Sequence, residues 1–324
     1  MTADSVAVVG GGLAGLVAAR RLASAGADVT LLERRDSVGG RVRTETRDGF
    51  TLDRGFQVLF TGYPAVRREL DLDALDLRYF TPGAVIARPG SLSTLSDPLR
   101  DPRSALASLR NGEVTQTDKV RTLLLRQDVG TRTEAEIFRS ADSSIRAYLR
   151  EWGFSESYVE NFVAPFYGGI TLDRSLSTSK RVFEYTFKAL SAGRIALLAD
   201  GIGAIPEQLA DGASRAGVTL RLGERVTDVT DRDDGVTVET DSEVVDADAA
   251  VVATDPTAAR RLTGVESIPT DARSCVTQHY RLPAAAAPTT RRKLLLNAGD
   301  PSPNTVVPMS EVAPEYAQIG RAHV

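Results

Sequence analysis

Apolar residues gather in short runs along the chain. Val6-Ala7-Val8-Val9 is unbroken and mostly branched, the pattern of a strand buried on both faces. The turn Gly10-Gly11-Gly12-Leu13-Ala14-Gly15 follows at once, then a helical stretch ending near Ala25-Gly26. Val29-Thr30-Leu31-Leu32 predicts a second strand that stops at Glu33. Residues 77–86 predict short strands, broken by Pro82-Gly83 and Pro89-Gly90. Segments 104–109, 119–125 and 145–152 carry apolar positions three to four apart and predict helices. Pro98 and Pro102 suit helix starts, and Asn111-Gly112 and Gly130 separate the segments. Gly201-Ile202-Gly203-Ala204-Ile205-Pro206 opens another helix; with no buried strand before it and a proline after, it is not a phosphate turn. Segments 218–222, 225–229 and 236–240 read as strands, the last two a hairpin about Asp233-Asp234-Gly235. Segment 248–254 reads as another buried strand and 274–282 as a further one, with Cys275 as a small buried residue in it.

The first of these blocks carries chemistry. Strand, glycine turn, helix, strand and acid stand in the order a dinucleotide site requires. Gly10 permits the tight turn, Gly12 lets the backbone approach a pyrophosphate, and Gly15 allows close packing of helix on strand. The helix N-terminus, at Leu13 and Ala14, then presents free N–H groups to the phosphates. Glu33, 23 positions after Gly10, would accept from a ribose 2′-OH and repel a phosphate there, although Arg34 and Arg35 follow directly.

Composition narrows the rest. The chain has 324 residues, 42% hydrophobic and 25% charged, which suits two globular domains. Its net charge of −4, without a basic block, argues against a nucleic-acid surface. No run approaches the ~18 apolar residues of a membrane span, and the N-terminus lacks a secretory charge pattern, so a cytoplasmic protein is expected. One cysteine allows no internal disulfide, and His279 and His323 leave little material for a zinc site or a Ser-His-Asp triad. A cofactor is therefore expected to supply the hard chemistry. Arginine outnumbers lysine 35 to 4, which fits a GC-rich genome.

A second motif decides which dinucleotide. Glu33 leads into Gly39-Gly40-Arg41, and Gly49-Phe50-Thr51-Leu52-Asp53-Arg54-Gly55-Phe56 follows. With these residues the chain resembles the flavin amine oxidase and phytoene desaturase superfamily. The resemblance implies FAD, with Gly10, Gly12, Leu13, Ala14, Gly15, Glu33, Arg34, Gly40, Arg41, Gly55 and Phe56 as contacts. It further implies that the backbone at Val226 holds the adenine and that the turn at Ala253 passes near the dinucleotide. The implied fold is α/β: a Rossmann-type, GR2-like FAD-binding domain over 1–76 and 190–262. An inserted α+β substrate domain would occupy 77–189 and 263–324.

The implied activity is an FAD-dependent oxidoreductase that passes a hydride from an organic substrate to flavin N5. Asn161-Phe162-Val163-Ala164-Pro165-Phe166-Tyr167-Gly168-Gly169-Ile170 reads as a hydrophobic core or as an aromatic wall for a polyene. With Leu176-Ser177-Thr178-Ser179 it resembles the desaturase-type subgroup, which favours a lipophilic, carotenoid-like substrate over an amine. Peripheral membrane contact would follow, yet no segment reads as an amphipathic anchor. Family members often place a lysine near flavin N5, but Arg291-Arg292-Lys293 reads as a solvated charge run, and no catalytic residue is assigned. Other readings are an NAD-dependent dehydrogenase using the first motif alone and a non-catalytic binder like the GDP-dissociation inhibitors.

The family's closing Gly-Asp motif and final helix have no counterpart after Ala317; Asn297-Ala298-Gly299-Asp300 has the pair but no helix pattern. The ending from Gln318 to Val324 reads as one frame of a common sequencing adapter. The expectation is a natural chain that continues beyond Ala317, and weak FAD retention without that piece.

Overall fold

The computed structural model describes residues 4–96, 114–299, 302–318 and 320–324. The strand Ser5–Val9 lies in a four-stranded parallel sheet between Asp28–Glu33 and Ala249–Val252, with Thr219–Leu222 at the edge. Its side chains alternate between two cores. Val6 and Val8 join Leu16, Leu31, Ile205 and Leu209 beneath the helices Leu13–Ser24 and Ala204–Arg215. Ala7 and Val9 meet Val226, Val236 and Val238 of an antiparallel sheet formed by Val226–Arg232, Gly235–Thr240 and Val244–Ala247. Both faces are covered, so the strand shows no apolar–polar alternation.

A second region holds a mixed sheet, in the order Thr305–Val306, Leu294–Asn297, Ala84–Arg88, Ser91–Leu95. Beside it, helices Gln116–Thr131, Glu134–Arg139, Ile145–Glu151, Ala164–Thr171 and Lys180–Ala192 enclose Leu125, Val129, Ile145, Leu149 and Phe183. Reciprocal capping boxes at Thr115/Asp118 and Thr133/Glu136 start the first two of these helices. The small sheet Leu59–Phe60, Ile195–Leu198, Leu77–Tyr79 links the two regions.

Several expectations need correction. Lys293 is not solvated: Arg291 and Arg292 turn outward at positive φ, and Lys293 enters the sheet 1% exposed. Its Nζ donates to the Pro82 carbonyl (2.9 Å) and Ser96 Oγ (3.3 Å). Cys275 is exposed, and strand 274–282 shrinks to Arg281–Pro283, which finds its ladder partner in Arg321–His323. Residues 270–279 belong to no strand among the described residues, and Val276 is 88% exposed; Tyr280 already exchanges backbone hydrogen bonds with Val324 (2.7 and 3.0 Å). The helix Gln116–Thr131 runs through Gly130 instead of stopping there. A buried strand, Ile195–Leu198, does precede Gly201. The amides of that turn are nonetheless taken, Ile202 N–H by Asp53 and Gly203 N–H by Thr44 Oγ1. The elements predicted from Pro98 through Asn111-Gly112, and Asp300 of the Gly-Asp pair, lie outside the described residues.

Candidate functional site

At the C-terminal end of the parallel sheet the chain leaves Val9 with Gly10 at φ +109°, a conformation L side chains rarely adopt. Gly10 N–H donates to the Leu32 carbonyl (2.8 Å), and Ala253 N–H donates to the Val9 carbonyl (2.8 Å). A Cβ on Gly15 would stand 1.9 Å from the Gly10 carbonyl oxygen, so the helix sits directly on the turn. The helix Leu13–Ser24 begins at Gly12 with no side-chain cap and no acid in its first turn. Its first amides therefore open into a cleft of about 450 Å³. Gly39 N–H donates to the Gly11 carbonyl (2.8 Å), which folds the second glycine pair against the first.

Glu33 lies at the end of its strand, 7% exposed. Oε2 accepts from Gly11 N–H (2.7 Å) and Oε1 from Arg35 N–H (3.1 Å). A carboxylate offers about four acceptor sites, so two remain for hydroxyl donors.

The cleft is lined by Gly10, Gly12, Leu13, Ala14, Glu33, Arg34, Gly40, Arg41, Val226 and Ala253, brought together from four separate stretches. Gly15 acts from behind, through packing on Gly10. Gly55 and Phe56 stand apart from the lining: the Phe56 N–H donates to Thr277 Oγ1 (3.2 Å), and nothing lies within 4 Å of a Cβ placed on Gly55. Thr254, of the turn expected near the dinucleotide, lines the cleft as well; sequence reasoning missed Arg225, Asp255 and Arg261, which also line it. Arg225 and Asp255 neighbour expected residues; Arg261 gives no local signal, because it enters from the helix Pro256–Thr263.

Asp53, 1% exposed, closes the strand that leads to Gly55. Oδ1 accepts from Thr44 Oγ1 (2.6 Å) and Ile202 N–H (2.9 Å), and Oδ2 accepts from Tyr316 OH (2.6 Å). One carboxylate thus ties the Gly55 stretch to the Gly201 turn.

A second cavity of about 300 Å³ lies against the helical region, walled by Phe80, Tyr158, Phe162, Phe166, Tyr167, Phe183 and Phe187. The aromatic segment is thus both wall and core, since Tyr167 also belongs to the helical core and Phe162 and Phe166 pack against it. Burial pushes the Tyr158 phenol up to about 12 and raises that of Tyr167 as well. Lys119, Arg126 and Arg194 line the same cavity, Arg194 with its guanidinium 3.6 Å from the Tyr79 ring centre. No acidic side chain lines it among the described residues.

Comparison with known proteins gives a family and a fold. The family described as flavin containing amine oxidoreductase matches residues 13–318. A phytoene dehydrogenase of Streptomyces griseus is 29% identical over 289 residues, 81% of this chain. The chain spans 56% of that protein's length. An oxidoreductase from Methanosarcina mazei superposes with a TM-score of 0.69 at 19% identity, over 98% of this chain and 77% of the other. The Rab GDI of Plasmodium falciparum superposes at 0.59 and 12% identity, over 99% and 81%. The two superpositions show a shared fold.

Proposed function

The chain belongs to the flavin containing amine oxidoreductase family, whose cofactor is FAD, and from that premise we propose an FAD-dependent oxidoreductase acting on a lipophilic substrate. The carrying observation is the uncapped helix N-terminus behind Gly10–Gly15, facing a cleft that also holds the buried Glu33 carboxylate. The residues present fit a dinucleotide. The helix amides and the glycine backbone would hold the pyrophosphate, and Glu33 keeps acceptor capacity for ribose hydroxyls. Arg34 and Arg41 stand at the cleft wall, and Val226 and Ala253 border it from the returning strands. On this reading the parallel sheet is the core of a Rossmann-type, GR2-like domain over 1–76 and 190–262. The helices and the mixed sheet then form the α+β substrate domain over 77–189 and 263–324.

Bound FAD would supply hydride acceptance, and the protein's part is to bind, orient and exclude water. The aromatic cavity suits a hydrocarbon-rich substrate. Its three basic side chains disfavour a protonated amine, so a neutral or anionic lipophile is the better occupant. The carotenoid chemistry named for the Streptomyces relative points the same way.

Gly12→Ala tests the cleft. Gly12 has φ −76° and nothing within 4 Å of an added Cβ, so the variant should fold with stability unchanged or slightly raised, by up to ~1 kcal/mol. The methyl would stand where the pyrophosphate must approach, so FAD affinity, followed by flavin fluorescence, should fall about tenfold or more. Equal FAD binding by both proteins would refute the site. With flavin bound, a detergent-solubilised polyene should bleach its absorbance without oxygen and an amine should not. Absence of FAD binding in the wild type would favour a non-catalytic binder.

A further inference from the structure

The aromatic cavity combines an apolar body with a cation at its mouth whose donors are unspent. Arg194 lines it together with Phe80, Phe162 and Phe187, and remains exposed to solvent. Its backbone is fixed by a two-way bond with Thr61: Thr61 N–H donates to the Arg194 carbonyl (3.0 Å), and Arg194 N–H donates to Thr61 Oγ1 (2.9 Å). Its guanidinium stands 3.6 Å from the centre of the Tyr79 ring, and the stacking narrows the positions open to it. Arg67, bonded to the same junction, spends its Nε and Nη2 donors on the Thr61 and Ala192 carbonyls. The Arg194 guanidinium donates to no protein group among the described residues and has no carboxylate within 4 Å. Lys119 and Arg126, which also line the cavity, are engaged by the protein, Arg126 in part through the Ser191 carbonyl (3.3 Å).

We infer that the cavity binds a long-chain carboxylate, its hydrocarbon against the aromatic wall and its carboxylate paired with Arg194 at the mouth. The guanidinium presents a planar fork of N–H groups that fits the two oxygens of a carboxylate. Held over Tyr79, it loses little freedom on pairing, so more of the gain is kept as affinity. A phosphate monoester carries up to two charges and three acceptor oxygens, more than one fork satisfies. A plain hydrocarbon makes no use of the fork. An amine would meet the guanidinium as a like charge, with no acidic side chain in the lining among the described residues to offset it. That the same acid is also the oxidised substrate rests on the proposed function; its binding does not.

The test is titration of the full chain with cis-parinaric acid, a polyene acid whose emission rises in apolar surroundings, and with its methyl ester. The wild type should bind the acid about tenfold or more tightly than the ester. Arg194→Gln should weaken the acid by about tenfold or more and move the ester by less than about twofold. Arg194→Lys, which keeps the charge and loses the fork, should restore only part of the preference. Because this side chain bonds to no other protein group among the described residues, both variants should keep the wild-type circular dichroism. Failure of the wild type to bind the acid overturns the proposal, as does equal binding of acid and ester or an acid affinity that Arg194→Gln leaves unchanged. Tighter displacement of the probe by hexadecyl phosphate than by palmitate overturns it as well and gives the head group to a phosphate. Arg194-dependent binding of the acid by a chain that takes up no FAD would refute the proposed function and leave this site standing.

Discussion

Removing the Asp53 carboxylate should damage the fold more than its single side chain suggests. It takes three hydrogen bonds, from Thr44 Oγ1, Ile202 N–H and Tyr316 OH, at 2.6, 2.9 and 2.6 Å. Tyr316 is fully buried, and burial together with the neighbouring Asp53 charge raises its phenol above the ordinary value of 10, so it is a donor at neutral pH. In Asp53→Ala all three donors lose their acceptor. A buried donor left unpaired costs about 1–3 kcal/mol, so the Ile202 amide and the Tyr316 hydroxyl together set a loss of about 3–5 kcal/mol. Asp53→Asn keeps one acceptor oxygen for Thr44 and Ile202, and Tyr316 can rotate its hydroxyl to accept from the new amide, so the loss should be about 1–2 kcal/mol. Urea unfolding followed by circular dichroism measures both, with Tyr316→Phe completing a double-mutant cycle against Asp53→Asn. A loss under ~1 kcal/mol for Asp53→Ala, or equal losses for Ala and Asn, would refute the hub.

Three further outcomes follow from the geometry. Tyr167 OH is buried with no partner among the described residues, so Tyr167→Phe should be neutral or stabilise by up to ~1 kcal/mol in thermal unfolding, against the usual cost of a core change. Gly15→Ala places a methyl 1.9 Å from a backbone oxygen that cannot yield without moving the Gly10 turn; it should destabilise by about 2–3 kcal/mol, whereas Gly12→Ala should not. Burial tends to raise the Glu69 carboxyl, but hydrogen bonds from Arg68, Arg21 and Arg20 outweigh it and hold it at about 2, below its ordinary 4.5. The folded value being the lower one, this stabilisation is complete above pH 4.5 and is lost as the pH falls toward 2; the stability gap to Glu69→Gln should shrink over that window, and a pH-independent gap would count against the ion pairs.

What was legible in the sequence had a local cause. Val6–Val9, the glycine turn and Glu33 all fall within thirty positions, and each spacing answers to one strand, one turn and one helix start. The Gly39-Gly40 pair could be read for the same reason, although its contact with Gly11 could not. Illegible features join distant segments. The donors to Asp53 come from residues 44, 202 and 316, and no pattern around Asp53 announces them. Lys293 looked like the end of a charge run because its inward turn depends on the strand it enters, parallel to Ala84–Arg88. The helix Gln116–Thr131 misled differently. Leu123, Leu124 and Leu125 are consecutive, so at 100° per residue Leu125 turns away from the exposed side of Leu123 and Leu124, and of the three only Leu125 belongs to the core. Apolar groups on opposite sides cancel in any periodicity argument, and a sequence scan for one amphipathic stripe passes over them. Burial of one stripe is what leaves the other on the surface, and that distinction exists only once the helix has packed.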